Sequence, residues 1–115
     1  MSKVIVTQQV ITRDENNAWK PIFDLSPATR YGELNYIFGA GQIILGAKEM
    51  ADFIDDRLDE IDYDPKEDYL LATGDMSVAI AVASRMLVAA DGSGIPIKVL
   101  RWDKREKSYN VVEVI

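Results

Sequence analysis

The sequence predicts an α/β (α+β) fold on a mixed sheet, with elements in the order β-β-β-β-α-β-α-β-β and all 115 residues in one domain. Three observations carry this expectation. Residues 69–102 read as strand, helix, strand, a β-α-β unit whose strands normally run parallel with a right-handed crossover. Residues 48–61 carry helical periodicity on one face only. Residues 97–115 read as two strands around a charged turn, a C-terminal hairpin.

Val4 to Thr12 (VIVTQQVIT) is rich in β-branched residues and reads as a strand. Arg13 to Asn17 is a polar turn with two Asn, a residue that tolerates left-handed backbone. Ala18 to Leu25 returns as a second strand. Pro21 lacks an amide donor and so belongs at an edge or a break. Ser26-Pro27 would start one helical turn, with Ser26 as cap and Pro27 in first position. Gly32 to Phe38 and Ile43 to Leu45, around Gly39-Ala40-Gly41-Gln42, read as a second hairpin.

In the segment KEMADFIDDRLDEI, Met50, Phe53, Ile54, Leu58 and Ile61 share one helix face, and acidic residues fill the other. Asp62 to Asp68 is a polar linker. Tyr69 to Thr73 fits a short buried strand. Asp75 stands where it can cap the next helix, residues 76–90, which has almost no polar face. Asp91-Gly92-Ser93-Gly94 ends that helix with turn residues. Val99, Val112 and Val114 should share one face of the last hairpin.

The composition narrows the chemistry. Hydrophobic residues make up 48% and charged residues 28%, which is ordinary for a globular protein. There is no Cys, so disulfides, thiolate catalysis and Cys-ligated zinc are excluded. There is no His, which removes the commonest general base and every Ser-His triad. No catalytic residue, cofactor or metal ligand is assigned. Carboxylates alone could still run acid–base chemistry where burial separates their pKa values. No apolar run reaches membrane-span length, and the first residues lack a secretory core, so a cytoplasmic address is the default and no membrane partner is expected. Thirteen basic against nineteen acidic side chains give a net charge of −6, which disfavours sequence-independent binding to a phosphate backbone.

Three groups of residues could bind something. Thr73, Gly74, Asp75 and Ser77 sit where a strand enters a helix, at the carboxyl edge where open α/β sheets place ligands. The plainer reading ranks first: Asp75 caps the helix and competes with any anion for the same amides. Asp52, Asp55, Asp56 and Asp59 form an acidic face. A solvated surface ranks first there, a dock for a basic partner second and a metal site a distant third. Lys98, Arg101, Lys104, Arg105, Lys107 and Tyr109, with Trp102 among them, could hold single-stranded nucleic acid by charge and stacking. Ordinary edge protection is preferred for this hairpin. The apolar helix 76–90 weighs self-association evenly against burial under the sheet and the first helix.

Several of these segments together resemble small uncharacterised proteins of tailed bacteriophages. They are Gly74-Asp75 before an Ala-rich apolar helix, then Val99-Leu100-Arg101-Trp102-Asp103-Lys104-Arg105 and Tyr109. Pro21-Ile22-Phe23-Asp24-Leu25-Ser26-Pro27-Ala28 and Tyr31-Gly32-Glu33-Leu34 add to them. Where the family pattern begins the second helix with Gly-Asp-Pro, this chain has Gly74-Asp75-Met76. That keeps the cap and removes the Pro. The resemblance implies a setting, an infected bacterial cytoplasm or a virion, and brings no activity with it. The function expected is therefore a non-enzymatic accessory role through contact with a host or viral protein or with a second copy. The alternative is a small nucleotide- or nucleic-acid-binding domain using the Gly74–Ser77 corner or the Lys98–Tyr109 hairpin.

Overall fold

The computed structural model describes residues 1–21 and 24–115. Its main sheet has five strands in the spatial order β4-β1-β5-β6-β7, where β1 is Lys3–Gln8, β4 Glu33–Phe38, β5 Tyr69–Leu71, β6 Ile97–Asp103 and β7 Ser108–Val114. β2 (Ile11–Arg13) and β3 (Trp19–Pro21) form a separate antiparallel pair. Among the described residues, two helices, α1 (Ala47–Ile61) and α2 (Met76–Ala89), and a 3-10 helix (Ser26–Tyr31) accompany these strands. The mixed α/β class, the β-α-β unit and the C-terminal hairpin are all present: β5 and β6 pair in parallel, β6 and β7 antiparallel.

Alternation along the central strand explains the layering. Val4 and Val6 point to one face and Ile5 to the other, and all three are fully buried. A parallel strand covered on both sides reads as a continuous apolar run, and VIV does. Ile5, Ile37, Leu70 and Ile97 pack beneath the two helices against Ile54, Leu58, Val78, Val82 and Met86. Val4, Val6, Leu71, Leu100 and Tyr109 form the opposite core with Ala28 of the 3-10 helix. The connection leaving β1 toward β4 thus covers one face. The connections running the other way, α1 and α2, cover the second. A single crossover hand requires that division.

Two expected elements are corrected. The second hairpin does not form: β4 pairs in parallel with β1, and residues 43–45 make no strand. The Gly39–Gln42 turn is real, with the Gln42 amide donating to Gly39 O at 3.2 Å, but the chain leaves it for α1. Ile43 and Leu45 stay exposed, and only Ile44 packs on the core. The first hairpin is shorter than the sequence suggests. β1 belongs to the main sheet, and only residues 11–13 and 19–21 pair across the Asp14–Asn17 turn. The end of the expected strand 18–25 includes residues 22 and 23, which lie outside the described residues. Ser26 is no cap either. Leu25 holds the cap position, and Asp24 accepts from the Ser26 amide at 2.9 Å.

Asp68 anchors the start of the sheet. Its fully buried carboxylate accepts from the Lys3 amide at 2.8 Å and the Asp64 amide at 2.7 Å, with Lys3 Nζ at 3.3 Å. Among the described residues no buried side-chain polar atom lacks a partner.

Candidate functional site

The corner after β5 is filled from within. Thr7 is fully buried in β1, and its hydroxyl donates to Thr73 O at 2.6 Å while accepting from the Thr73 amide at 2.8 Å. The Thr73 hydroxyl donates to Gln8 O at 2.5 Å. Gln8 closes the rest: its amide nitrogen donates to Gln42 O at 2.7 Å, and its oxygen accepts from the Asp75 amide at 2.9 Å. Gly74 has φ +82°, and a Cβ there would lie 2.8 Å from Gln8 Cβ. Glycine is required twice over, for the backbone and for the close approach.

At the start of α2 the Asp75 carboxylate accepts from the Ser77 amide at 2.8 Å, from the Ser77 hydroxyl and from the Val78 amide at 3.4 Å. These bonds, led by the Ser77 hydroxyl, hold its pKa below the usual 3.8. The amides that would receive a phosphate are therefore shared with a resident carboxylate.

Beside this corner lies a cleft of about 1230 Å³. It exists because β5 stops at Leu71 while β6 and β7 continue past it. Leu71, Ala72, Thr73 and Gly74 line one side, Arg101, Trp102 and Tyr109 another, and Asp24, Leu25 and Pro27 a third. Two residues of the expected corner site and two of the expected basic surface, Arg101 and Tyr109, thus share one cleft. Asp75 and Ser77 do not line it. The cleft carries one cation, Arg101, and one anion, Asp24, whose pKa is held down by the Ser26 hydroxyl and amide. That balance gives no strong pull on a phosphate.

The basic–aromatic stretch is not one surface. Lys98 lies at the far end of β6, where its ammonium donates to Lys66 O at 2.9 Å and sits 4.4 Å from the Tyr69 ring centroid. Tyr109 is 8% exposed, packs edge-on to Trp102 at 5.1 Å, and its carbonyl accepts from the Tyr31 hydroxyl at 2.8 Å. It is a core residue. Lys104, Arg105 and Lys107 crown the hairpin tip, where Asp103 accepts from the Arg105 and Glu106 amides.

The acidic face is partly committed. Asp55 takes a two-pronged contact from Arg85 of α2, Nε at 2.8 Å and Nη2 at 2.6 Å, which ties the helices together and raises the guanidinium pKa. Asp52 pairs with Lys48 at 2.9 Å. Asp56 and Asp59 are exposed, and among the described residues no cluster of acidic side chains has the geometry to hold a metal.

The apolar helix that the sequence marks for burial or self-association leaves one flank unpartnered. On α2, Val78, Val82 and Met86 face the sheet, and Ala81 and Arg85 face α1. Helical spacing turns Met76, Ile80 and Leu87 away from both, and they are 77, 63 and 38% exposed. Next to this flank Val112 and Val114, paired opposite Val99 and Ile97, are 40 and 45% exposed and line the same cleft as Arg101. The signal was present in the lack of any polar face in residues 76–90.

No helix among the described residues is long and apolar enough to cross a membrane. No curated protein and no solved structure matches the chain. A family model does, over residues 2–115, and its span takes in the Gly74-Asp75 helix start, the Leu100–Arg105 segment and the 3-10 segment alike. The chain belongs to the Phage Pam3 gp32-like protein family.

Proposed function

We propose that this phage protein is a non-enzymatic accessory factor that acts by protein–protein contact, through the bare flank of α2 and the sheet beside it. One observation carries the reading. A helix of fourteen residues presents Met76, Ile80, Leu87 and Val88 to solvent, and its single charged side chain is already spent on Asp55. An apolar patch of this kind marks a contact surface in a folded protein, because covering it recovers about 25 cal/mol per Å². The lack of His and Cys agrees with a role in binding. The setting is the infected bacterial cytoplasm or the virion, and the partner a host protein, a viral protein or a second copy.

The test is genetic. The phage encoding this chain is rebuilt with Ile80→Glu plus Leu87→Glu, or separately with Arg101→Ala, and the purified variants are compared by circular dichroism. The double variant should fold and fail to support growth, while Arg101→Ala behaves as wild type. Normal growth of the double variant with failure of Arg101→Ala would move the function to the cleft.

A second reading rests on that cleft. Thr73, Gly74, Arg101 and Trp102 converge at the carboxyl edge of parallel strands, where a nucleotide or a short single strand would lie. The cleft's balance of one cation, Arg101, against one anion, Asp24, and the net charge of −6 weigh against it. A thermal-shift panel of nucleotides, with an oligonucleotide titration at low salt, decides. No shift and no binding retire this reading.

A further inference from the structure

The geometry points to a peptide-binding notch where β5 ends: an extended segment of a partner protein, with the pattern apolar, acidic, apolar, lies beside β6 as a continuation of β5. This site is separate from the α2 flank and goes beyond the reading above, so either can fail alone.

The notch follows from the strand register. β5 pairs with β6 only where Tyr69 meets Lys98 and Leu70 meets Val99, whereas β7 pairs with β6 from Ile97 to Asp103. Arg101, Trp102 and Asp103 therefore have a strand partner on one side and, among the described residues, none on the other. The chain leaving β5 does not fill the space. Thr7 and Gln8 draw it toward β1 through hydrogen bonds to the Thr73 amide, carbonyl and hydroxyl and to the Asp75 amide. The cleft of about 1230 Å³ is what this leaves. An inner edge of this kind offers main-chain hydrogen bonds to an added strand.

The two walls select the side chains of that strand. Beyond Leu71 no part of β5 separates the faces of the sheet, and the cleft is lined from both. Arg101 follows Ile97 and Val99 in alternation, so it points to the helix face, beside Val112. Leu25, Pro27 and Trp102 line the opposite side. Asp24 stands there too: burial, and then the nearby Asp24 carboxylate, push the Tyr109 phenol up. The cation and the anion of the cleft thus lie on opposite faces, and an extended peptide, whose side chains alternate between faces, meets them one at a time. An acidic residue toward the helix face reaches Arg101, which forms no ion pair among the described residues. Its two neighbours then turn toward Leu25, Pro27 and Trp102 and should be apolar. An acidic residue in the other register is repelled by Asp24, which fixes the pattern.

The test uses fluorescein-labelled Thr-Val-Glu-Val-Thr amide, followed by anisotropy against the full chain, beside the same peptide with Lys in place of Glu. Wild type should prefer the Glu peptide about fivefold, the size of one exposed charge pair. Arg101→Glu, at an exposed strand position, should keep its circular dichroism and prefer the Lys peptide. A fivefold effect from one charge agrees with the unaffected growth expected of the Arg101→Ala phage. Main-chain pairing is read by N-methylation, since alternate amides of a strand point the same way. Methylating both Val, or else the Glu and the last Thr, should abolish binding, and the other set should not. No binding of the Glu peptide, an unchanged preference in Arg101→Glu, or two methylated peptides that both bind like the parent would overturn the proposal. So would a single-stranded oligonucleotide that binds where the peptide does not, which assigns the cleft to nucleic acid.

Discussion

Gly74 is held by two constraints that no other residue meets together: a left-handed backbone and the Gln8 side chain against its Cα. Replacing it with Ala adds strain of about 1–2 kcal/mol for the backbone alone, and displacing Gln8 would loosen two further hydrogen bonds. Gly74→Ala should therefore lower the midpoint of urea unfolding by an amount worth about 2 kcal/mol or more. Asp68 poses the opposite case, a carboxylate buried because two amides and Lys3 meet it. Asp68→Ala should cost about 3 kcal/mol in the same assay, since it strands those donors. Its neighbour Tyr63 has a pKa pushed up to about 12 by burial and by Asp68 and Asp64. The folded state thus favours the neutral phenol. That contribution is whole below pH 10 and should disappear as pH rises to about 12, read as the loss of a stability difference between wild type and Tyr63→Phe. Asp75 as a helix cap was legible in the sequence, because capping is local. The Gln8–Gly74 contact and the burial of Asp68 were not, since each joins residues more than sixty positions apart.

At the scale of elements, α2 begins at a charged cap and is tied to α1 by one ion pair. The Asp75 pKa lies below 3.8, so the charged cap stabilises the fold above that value and the benefit is lost as pH falls through the lower folded value. Asp75→Asn should be less stable than wild type at pH 6, and the gap should close with acidification; a gap independent of pH would contradict the assignment. The Arg85–Asp55 pair is partly exposed on both sides, and a double-mutant cycle should find a coupling of about 1 kcal/mol or less. Helix periodicity made α1 and α2 legible to within a residue or two, and the β-α-β unit followed from the short run before Gly74. The pairing of β4 was not legible. Gly39-Ala40-Gly41 looks like a hairpin turn, yet β1 offers Leu34 and Tyr36 a buried face that residues 43–45 could not have supplied. Non-local packing overrode a correct reading of the turn.

For the whole molecule, the sheet is covered unevenly. One face has α1 and α2 over its first strands and the start of β6, while Val112 and Val114 of β7 stay about half exposed there. Burial of residues 76–90 and self-association stand even on the sequence, because periodicity alone does not show how many sides of an apolar helix the fold will cover. The structure covers two sides and leaves the third, with Val112 and Val114 alongside. The most direct test is growth of the phage that carries Ile80→Glu with Leu87→Glu, with folding of the purified variant checked by circular dichroism. The account predicts a folded protein and no growth; normal growth would contradict it.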